Sequence, residues 1–321
     1  MRRNRTLWWI VAGTPVALGL CMFAGAAGIR LPDWDAERQV FILRLNRVLA
    51  GFVIGASLSS AGVVLQAILR NPLAEPYVLG VSSGAGVGAA AAILCGLGAG
   101  ALAVPISAFI TATATLGLVY ALASNKGSVS LFGLILSGVI VSSVCSSLLM
   151  FLVSVAPLEG MHSILWWMLG NLEVPSYALL GVAAVLIVAG FLAMWLLAPE
   201  LNALTLGSEM AHYVGIRTQA AMTLGLLLAT LTTAAAVAVA GLIGFVGLIV
   251  PHVMRTLVGP NHRVLMPAAA LGGGVFLAVC DAFARTILAP QEIPVGVITA
   301  LLGGPFFLYL LRKRRQRGWV G

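Results

Sequence analysis

Two arginines, Arg44 and Arg47, are the side chains in this sequence best suited to recognition chemistry. They stand three residues apart at the start of an apolar segment, so in a first helical turn they share one face. Guanidinium groups bind carboxylates through strong, charge-assisted hydrogen bonds. Two interpretations stay open: the arginines have a separate recognition role, or they pair with acidic residues just before them. Those neighbours are Asp33, Asp35 and Glu37.

Residue patterns typical of catalysis are missing from the sequence. The only lysines, Lys126 and Lys313, do not follow a glycine, so the sequence has no phosphate-binding loop of the Gly-x-x-x-x-Gly-Lys-Ser/Thr type. The four cysteines occur singly in or beside apolar segments, without metal-ligand spacing, and are interpreted as small hydrophobic residues. We therefore expect no ATPase site, catalytic residue, metal site or cofactor on this chain.

The composition is that of a membrane protein. Of the 321 residues, 60% are hydrophobic and only 28 are charged, 18 basic and 10 acidic, whereas soluble proteins carry about a quarter charged residues. This excludes a soluble enzyme and a nucleic-acid-binding protein. The net charge of +8 comes from the two ends, because eight basic residues lie within 2–5 and 312–317 and the remainder is neutral.

Uncharged intervals predict an all-α, polytopic fold with about ten membrane-spanning helices. A bilayer core of about 30 Å needs roughly 20 apolar residues per helix. Two spans each are predicted in 76–125 and in 218–254, where one of the two is short. The intervals with one span each are 6–29, 48–69, 127–158, 174–199, 264–280 and 293–311. Residues 1–321 are expected to form one transmembrane domain.

An even number of spans places both basic termini on one side of the membrane, and the positive-inside rule makes that side the cytoplasm. The other charges agree with this orientation. Five basic and three acidic residues fall in the inner loops, against five basic and seven acidic residues in the outer loops. Arg44, Arg47 and Arg285 lie on the outer side, against the usual bias, which indicates a function.

The predicted spans contain almost no ionisable residues. Gradient-driven transporters usually carry such residues mid-membrane, because something there must bind the coupling ion. If this chain transports a substrate, its energy therefore comes from another subunit. The alternatives are a stand-alone secondary transporter, a channel or a purely structural membrane subunit.

Three further segments contain recognisable motifs in addition to apolar residues. Residues 70–88 link spans 2 and 3, with two prolines that redirect the chain and then glycines that permit close backbone approach. Residues 200–217 form a cytoplasmic loop that is predicted to contain one or two short helices, with Gly215 as a C-cap. Residues 244–252 read GFVGLIVPH.

Together these segments resemble the FecCD family, the permease subunits of bacterial type II ABC importers for iron-siderophores, haem and cobalamin. The resemblance runs from Arg44 to Leu311 and rests on NPLAEP with LGVSSGAGVG, and on GFVGLIVPH. It implies a type II importer permease fold and a homodimer in the bacterial inner membrane. It also implies two cytoplasmic ATPase subunits, which bind ATP and Mg, and an extracytoplasmic substrate-binding protein. The implied substrate is a bulky metal chelate, an iron-siderophore or haem, with cobalamin as the alternative.

The resemblance also implies roles for residues. Arg44, Arg47 and Arg285 match outer arginines that pair with glutamates on the binding protein. The family's pathway uses spans 5 and 10, which makes Ser128 and Ser130 the candidates for a cytoplasmic gate. The residues that match the region coupled to the ATPase are Leu206, Gly207, Glu209, Ala211 and Gly215.

The wall of the pathway is left open. His162, beside Trp166 and Trp167, is either a ligand contact or a solvated residue next to an interfacial aromatic belt. Four flexible or aromatic side chains are either an adaptable lining for a bulky chelate or ordinary packing. They are Met150, Phe151, Met161 and Met168.

Overall fold

The computed structural model describes residues 2–25, 28, 30, 37–97, 102–125, 128–174 and 176–316. Within these residues, thirteen α-helices make up the bundle, together with a 3-10 turn at Pro76–Leu79. The helices are α1 (Arg2–Cys21), α2 (Arg38–Ile68), α3 (Val81–Leu94), α4 (Ala103–Ala123), α5 (Leu131–Val155), α6 (Leu158–Met168), α7 (Tyr177–Leu196), α8 (Ala198–Leu204), α9 (Ser208–Tyr213), α10 (Thr218–Ala240), α11 (Val246–Val258), α12 (His262–Thr286) and α13 (Val295–Gln316). Two-residue strands β1 (Ser124–Asn125) and β2 (Ser128–Val129) pair between α4 and α5.

The all-α prediction is confirmed, and ten helices coincide with the predicted spans. Within the described residues, six helices are long and apolar enough to cross a membrane, namely α2, α4, α5, α7, α10 and α12. Shorter apolar stretches lie in α1, α3, α11 and α13. The 13-residue helix α11 is the short span expected after α10. Helices α6, α8 and α9 belong to the connections.

The helix that carries Arg44 and Arg47 starts earlier than predicted. α2 begins at Arg38 instead of near residue 48, so the two arginines lie in its second and third turns. Residues 38–48 contain no proline or glycine that would break a helix. A span predicted to begin after the last charged residue is too short here, because distant parts of the chain bind the two arginines and stabilise their charges.

Glycine contacts hold the centre of the bundle together. α2 is the most buried of the six long helices, with 78% of its most apolar window inside. A Cβ on Gly55 of α2 would collide with the Gly273 carbonyl of α12, and a Cβ on Gly273 would collide with the Gly55 carbonyl. Gly62 faces the Gly247 carbonyl of α11 in the same way. These glycines let the helix backbones touch, which is the usual packing device inside a membrane.

α5 is the opposite case, because only 17% of its most apolar window is buried. Its exposed positions include hydroxyl residues at helical spacing, Ser143, Ser147 and Ser154. Each hydroxyl donates a hydrogen bond to a carbonyl of its own helix. α5 packs on α3 and α4, but the described chain leaves most of the α5 surface uncovered.

Candidate functional site

Charged side chains from α2, α12 and the segments before α7 and α13 meet at one end of the bundle. Most of them line a cavity of about 620 Å³. We call this set the outer charge cluster, after the side of the membrane that the sequence predicts for it, and its members are Arg44, Arg47, Glu173, Asp281, Arg285 and Glu292. The structure thus brings together the three arginines that the sequence placed on one side of the membrane.

Arg47 is held by three carboxylates of its own chain. Its Nη2 lies 3.0 Å from Asp281 Oδ1, and its Nη1 lies 2.6 Å from Glu292 Oε2 and 3.1 Å from Glu173 Oε1. The Arg47 side chain is 12% exposed, and Asp281 is 1% exposed, but Glu173 is 60% exposed. The three contacts therefore differ sharply in how much water surrounds them.

Arg285 shares Asp281 with Arg47 and is itself buried, at 2% exposure. Its Nε lies 2.9 Å from Asp281 Oδ2, one helical turn before it on α12. Its Nη1 donates to the Ala24 carbonyl at 2.9 Å. Its Nη2 is buried and has no hydrogen-bond partner in the part of the chain that the structure describes.

Arg44 is also buried, at 6% exposure, and within the described residues it binds backbone oxygens. Its Nη1 donates to the carbonyls of Met22, Phe23 and Arg30, at 3.1, 3.3 and 2.6 Å. A Cβ on Gly25 would collide with the Arg44 guanidinium. Arg44 and Arg285 together therefore anchor the chain that follows α1.

These contacts within the chain bear on the two interpretations of Arg44 and Arg47 that the sequence left open, a recognition role or pairing with acidic residues. Arg47 does pair with acidic residues, but these are Glu173, Asp281 and Glu292, far away in sequence. Of the three expected partners, Glu37 is bound by Arg30 at 2.6 Å, and residues 33 and 35 lie outside the described residues. No local signal could have revealed these pairs, because they depend on how α2 and α12 pack.

The predicted coupling loop forms a compact knob of two short helices, α8 and α9, at the other end of the bundle. Gly207 separates them with a φ of +115°, a conformation that disfavours any other residue. Gly215 ends α9 with a φ of +87°. Its N–H binds the His212 carbonyl at 2.9 Å and the Ile216 N–H binds the Ala211 carbonyl at 3.0 Å. This is a Schellman motif, so the predicted C-cap is confirmed.

The knob presents apolar side chains outside the membrane-spanning helices. Tyr213 is 83% exposed. The other exposed apolar residues of the knob are Leu206, Met210 and Val214. Glu209 is exposed beside them, whereas Ala211 is buried and packs the knob onto the bundle. An exposed apolar group of this kind, with polar neighbours, is typical of a protein-binding surface.

Two of the sequence motifs meet in the structure, which sequence reasoning missed. Glu75 accepts a hydrogen bond from the Phe245 N–H, and the Tyr77 hydroxyl binds both the N–H and the carbonyl of Ile243 at 2.9 Å. Phe245 has a φ of +68° and precedes α11. Burial raises the pKa of the Glu75 carboxyl, and the Phe245 N–H opposes that shift. Residues 70–88 thus hold the non-helical backbone between α10 and α11 in place.

The candidate gate residues flank the start of α5. Ser128 lies in β2 and is opposite Asn125 of β1. The Ser130 hydroxyl accepts a hydrogen bond from the Gly133 N–H at 2.8 Å and caps α5. Met150 lies near the far end of the same helix, roughly 30 Å away at 1.5 Å per residue. The structure does not bring the gate candidates and the methionines into one site.

The candidate wall residues differ in their surroundings. Met150 and Phe151 are exposed on α5, whereas Met168 packs against a small cluster that contains Leu149 and Ile164. Met161 is half-buried. Packing within the chain therefore explains the position of Met168. No partner within the described chain explains the positions of Met150 and Phe151.

His162 is exposed on α6 and stacks on Trp166, with ring centroids 6.0 Å apart and an interplanar angle of 13°. Within the described residues, no group of three His, Cys, Asp or Glu side chains lies close enough to hold a metal ion. The stacked pair supplies a flat, partly apolar surface on the outer connection between α5 and α7.

A polytopic helix bundle with a charged cavity at one end and an apolar knob at the other has the construction of a membrane permease subunit. The chain belongs to the FecCD transport family, whose model matches residues 15–313. That match covers the outer charge cluster, the knob and both joined motifs.

Curated relatives and a solved structure are similar over most of their length. The chain is 40% identical to the hemin transport system permease protein HmuU of Yersinia pestis, over 88% of this chain and 86% of the relative. It is 44% identical to the cobalamin import system permease protein BtuC of Halobacterium salinarum, over 96% of this chain and 82% of the relative. A metal-chelate type ABC transporter solved in an inward-facing conformation matches with a TM-score of 0.87 and 31% identity, covering 97% of this chain and 99% of that one.

Proposed function

We propose that this chain is the permease subunit of an ABC importer that moves a bulky metal chelate, an iron-siderophore or haem, across the inner membrane. The observation that carries the proposal is the family match over residues 15–313. Relatives named for hemin and for Fe(3+)-citrate import support the substrate class. The family also favours this function over a stand-alone secondary transporter or channel.

The working unit is a homodimer, and α5 supports this. Its exposed face combines large apolar residues with the hydroxyls of Ser143, Ser147 and Ser154. A second copy, or a path between the copies, provides such a face with better surroundings than lipid does. Residues at the two ends of α5 and on the outer connection then border the path. They are Ser128 and Ser130 as the gate, and Met150, Met161, Met168 and His162 along the wall.

An extracytoplasmic binding protein docks at the outer charge cluster. Arg47 is the arginine that its carboxylates reach, because one current partner of Arg47, Glu173, is mostly exposed. Arg44 and Arg285 support the docking surface from beneath, since they hold the chain after α1 by its carbonyls. This assigns different roles to the three arginines.

Two ATPase subunits bind the knob at the cytoplasmic end, where both termini also lie. Leu206 and Glu209 are exposed for contact, Gly207 and Gly215 shape the turn, and Ala211 seats the knob. ATP and Mg are bound by those subunits, and this chain performs no covalent chemistry. Closure of the ATPases moves the knobs, and the bundle alternates its access between the two sides.

Reconstitution in proteoliposomes tests the proposal. The permease is combined with the ATPase subunit and binding protein of its own organism, and uptake of haem, ferric citrate, a ferric siderophore and cyanocobalamin is measured with and without ATP. We expect ATP-dependent uptake of haem or an iron chelate. Uptake by the permease alone, without ATP, would instead show a stand-alone transporter.

Cobalamin is the second candidate substrate. It is favoured by the relative named for cobalamin import, which is 44% identical over 96% of this chain. Uptake of cyanocobalamin, with no uptake of haem or the iron chelates, selects it. The docking and coupling roles are the same for either substrate.

A further inference from the structure

One side chain ties the knob to a long helix of the bundle. Asn202 lies on α8, and its Oδ1 accepts hydrogen bonds from the backbone N–H of His262 at 2.9 Å and from His262 Nδ1 at 2.7 Å. Its Nδ2 donates to Asn261 Oδ1 at 3.2 Å. Asn202 thus satisfies backbone and side-chain groups at the first turn of α12.

The contact is directional, unlike the apolar packing around it. Since an amide oxygen only accepts, His262 Nδ1 carries the proton, and its other ring nitrogen is buried without a hydrogen-bond partner in the described chain. A second tie runs from Trp195 Nε1, at the end of α7, to the Arg263 carbonyl at 3.0 Å. The position of α8 is therefore fixed relative to α12.

α12 leads from this contact to the outer charge cluster. It has 25 residues, which corresponds to about 37 Å at 1.5 Å per residue. Asp281 and Arg285 lie near its far end, where Asp281 binds Arg47 of α2. Between the two ends, α12 is locked to α2 by the Gly55 and Gly273 backbones. The two helices form one stiff unit that spans both candidate sites.

We propose that Asn202 is a positioning residue that couples the ATPase-driven movement of the knob to α12, and through α12 to the docking surface for the binding protein. The inference rests on the proposed function, because it presumes that ATPase subunits move the knob. When α8 shifts, the two hydrogen bonds at Asn202 Oδ1 carry the start of α12 with it. The α2–α12 unit then changes the orientation of Arg47 at the outer surface.

The test follows movement at the outer end and needs no transported substrate. A spin label is placed at Leu288→Cys, an exposed position just after α12, in a permease whose four native cysteines are replaced by alanine. The distance between the two labels of the dimer is measured in nanodiscs with bound ATPase subunits, before and after ATP, Mg and vanadate. ATP hydrolysis by the same complex is measured in parallel.

Three variants separate coupling from folding. Asn202→Ala removes all three side-chain hydrogen bonds of Asn202 and should abolish the ATP-dependent change in label distance, while the complex keeps hydrolysing ATP. Asn202→Asp keeps an acceptor oxygen for the His262 N–H and Nδ1–H and loses only the donor to Asn261 Oδ1, so it should restore most of the change. Thr205→Ala is the matched control, because the Thr205 hydroxyl bonds only to the Asn202 carbonyl within the same segment.

Each outcome decides between the hypotheses. A full distance change in Asn202→Ala overturns the inference. Loss of both ATP hydrolysis and movement without rescue by Asn202→Asp also overturns it, because Asn202 then only holds the fold. If the parent protein binds no ATPase subunit, or ATP moves neither label, the proposed function fails before Asn202 is tested.

Discussion

Under the proposed docking, Glu173 competes with the binding protein for Arg47, so removing the charge of Glu173 should strengthen docking. Arg47 is a poor target for this question, because its substitution leaves the buried Asp281 and the half-buried Glu292 short of a cation. Glu173→Gln leaves those contacts intact and changes only the exposed one. The predicted result is tighter docking, whereas damage to the protein would weaken docking.

The size of the effect follows from the burial of the contact. Glu173 Oε1 lies 3.1 Å from Arg47 Nη1, but the Glu173 side chain is 60% exposed, and such exposed pairs are worth about 0 to 1 kcal/mol. A partner carboxylate that replaces Glu173 no longer has to break this pair. Glu173→Gln should then lower the Kd for the binding protein by up to about fivefold, and less at high salt, since ions screen exposed charges.

The assay is a titration of the binding protein onto the nucleotide-free permease in nanodiscs, at low and at high salt. Glu159→Gln is the matched control, because Glu159 is exposed on α6, changes the charge equally, and makes no salt bridge in the described part of the chain. Weaker docking by Glu173→Gln, or the same gain in both variants, would refute a specific competition at Arg47.

Three further substitutions test the rest of the molecule. Asp281→Ala leaves Arg47 and Arg285 without their shared buried carboxylate, and should cost about 3–5 kcal/mol of stability, measured by thermal unfolding in detergent against Glu159→Ala. Gly273→Ala brings a Cβ against the Gly55 carbonyl and should cost about 1–3 kcal/mol in the same measurement, whereas Gly117→Ala, with nothing within 4 Å, should not. Tyr213→Ser should weaken pull-down of the ATPase subunit without lowering the unfolding temperature. Tyr177→Ser changes another exposed tyrosine, at the start of α7, and should leave pull-down unchanged.

The sequence predicts the helices of this protein well because the membrane imposes a simple rule. Apolar length alone locates the spans, so uncharged intervals coincide with ten helices, including the short helix α11. Local chemistry also suffices at Gly215, where a positive φ and two backbone hydrogen bonds end α9 as predicted. Both features depend only on residues that are near each other in the chain.

The site is harder to predict, because it depends on which helices touch. The start of α2 is misplaced by sequence, since carbonyls from another element bind Arg44 and a carboxylate from another element pairs with Arg47. The junction of Glu75 with Phe245 joins two motifs that are recognisable separately but carry no sign of their contact. The sequence can assign a residue to one end of the bundle, but it cannot identify the residues that this residue contacts.

The packing contrast between helices limits how the bundle can move. α2 and α12 touch backbone to backbone through glycines, and such a close fit has no room to slide without collisions. They must therefore move as one body. α5 packs on α3 and α4 but is the least buried of the six long helices in the described chain, with 17% of its most apolar window inside, and elements with little buried surface change position at the lowest free-energy cost. Under the proposed function and the proposed role of Asn202, alternating access rotates the stiff α2–α12 pair against α5 and its counterpart in the second copy, with Asn202 transmitting the force at one end and Arg47 releasing its partner at the other.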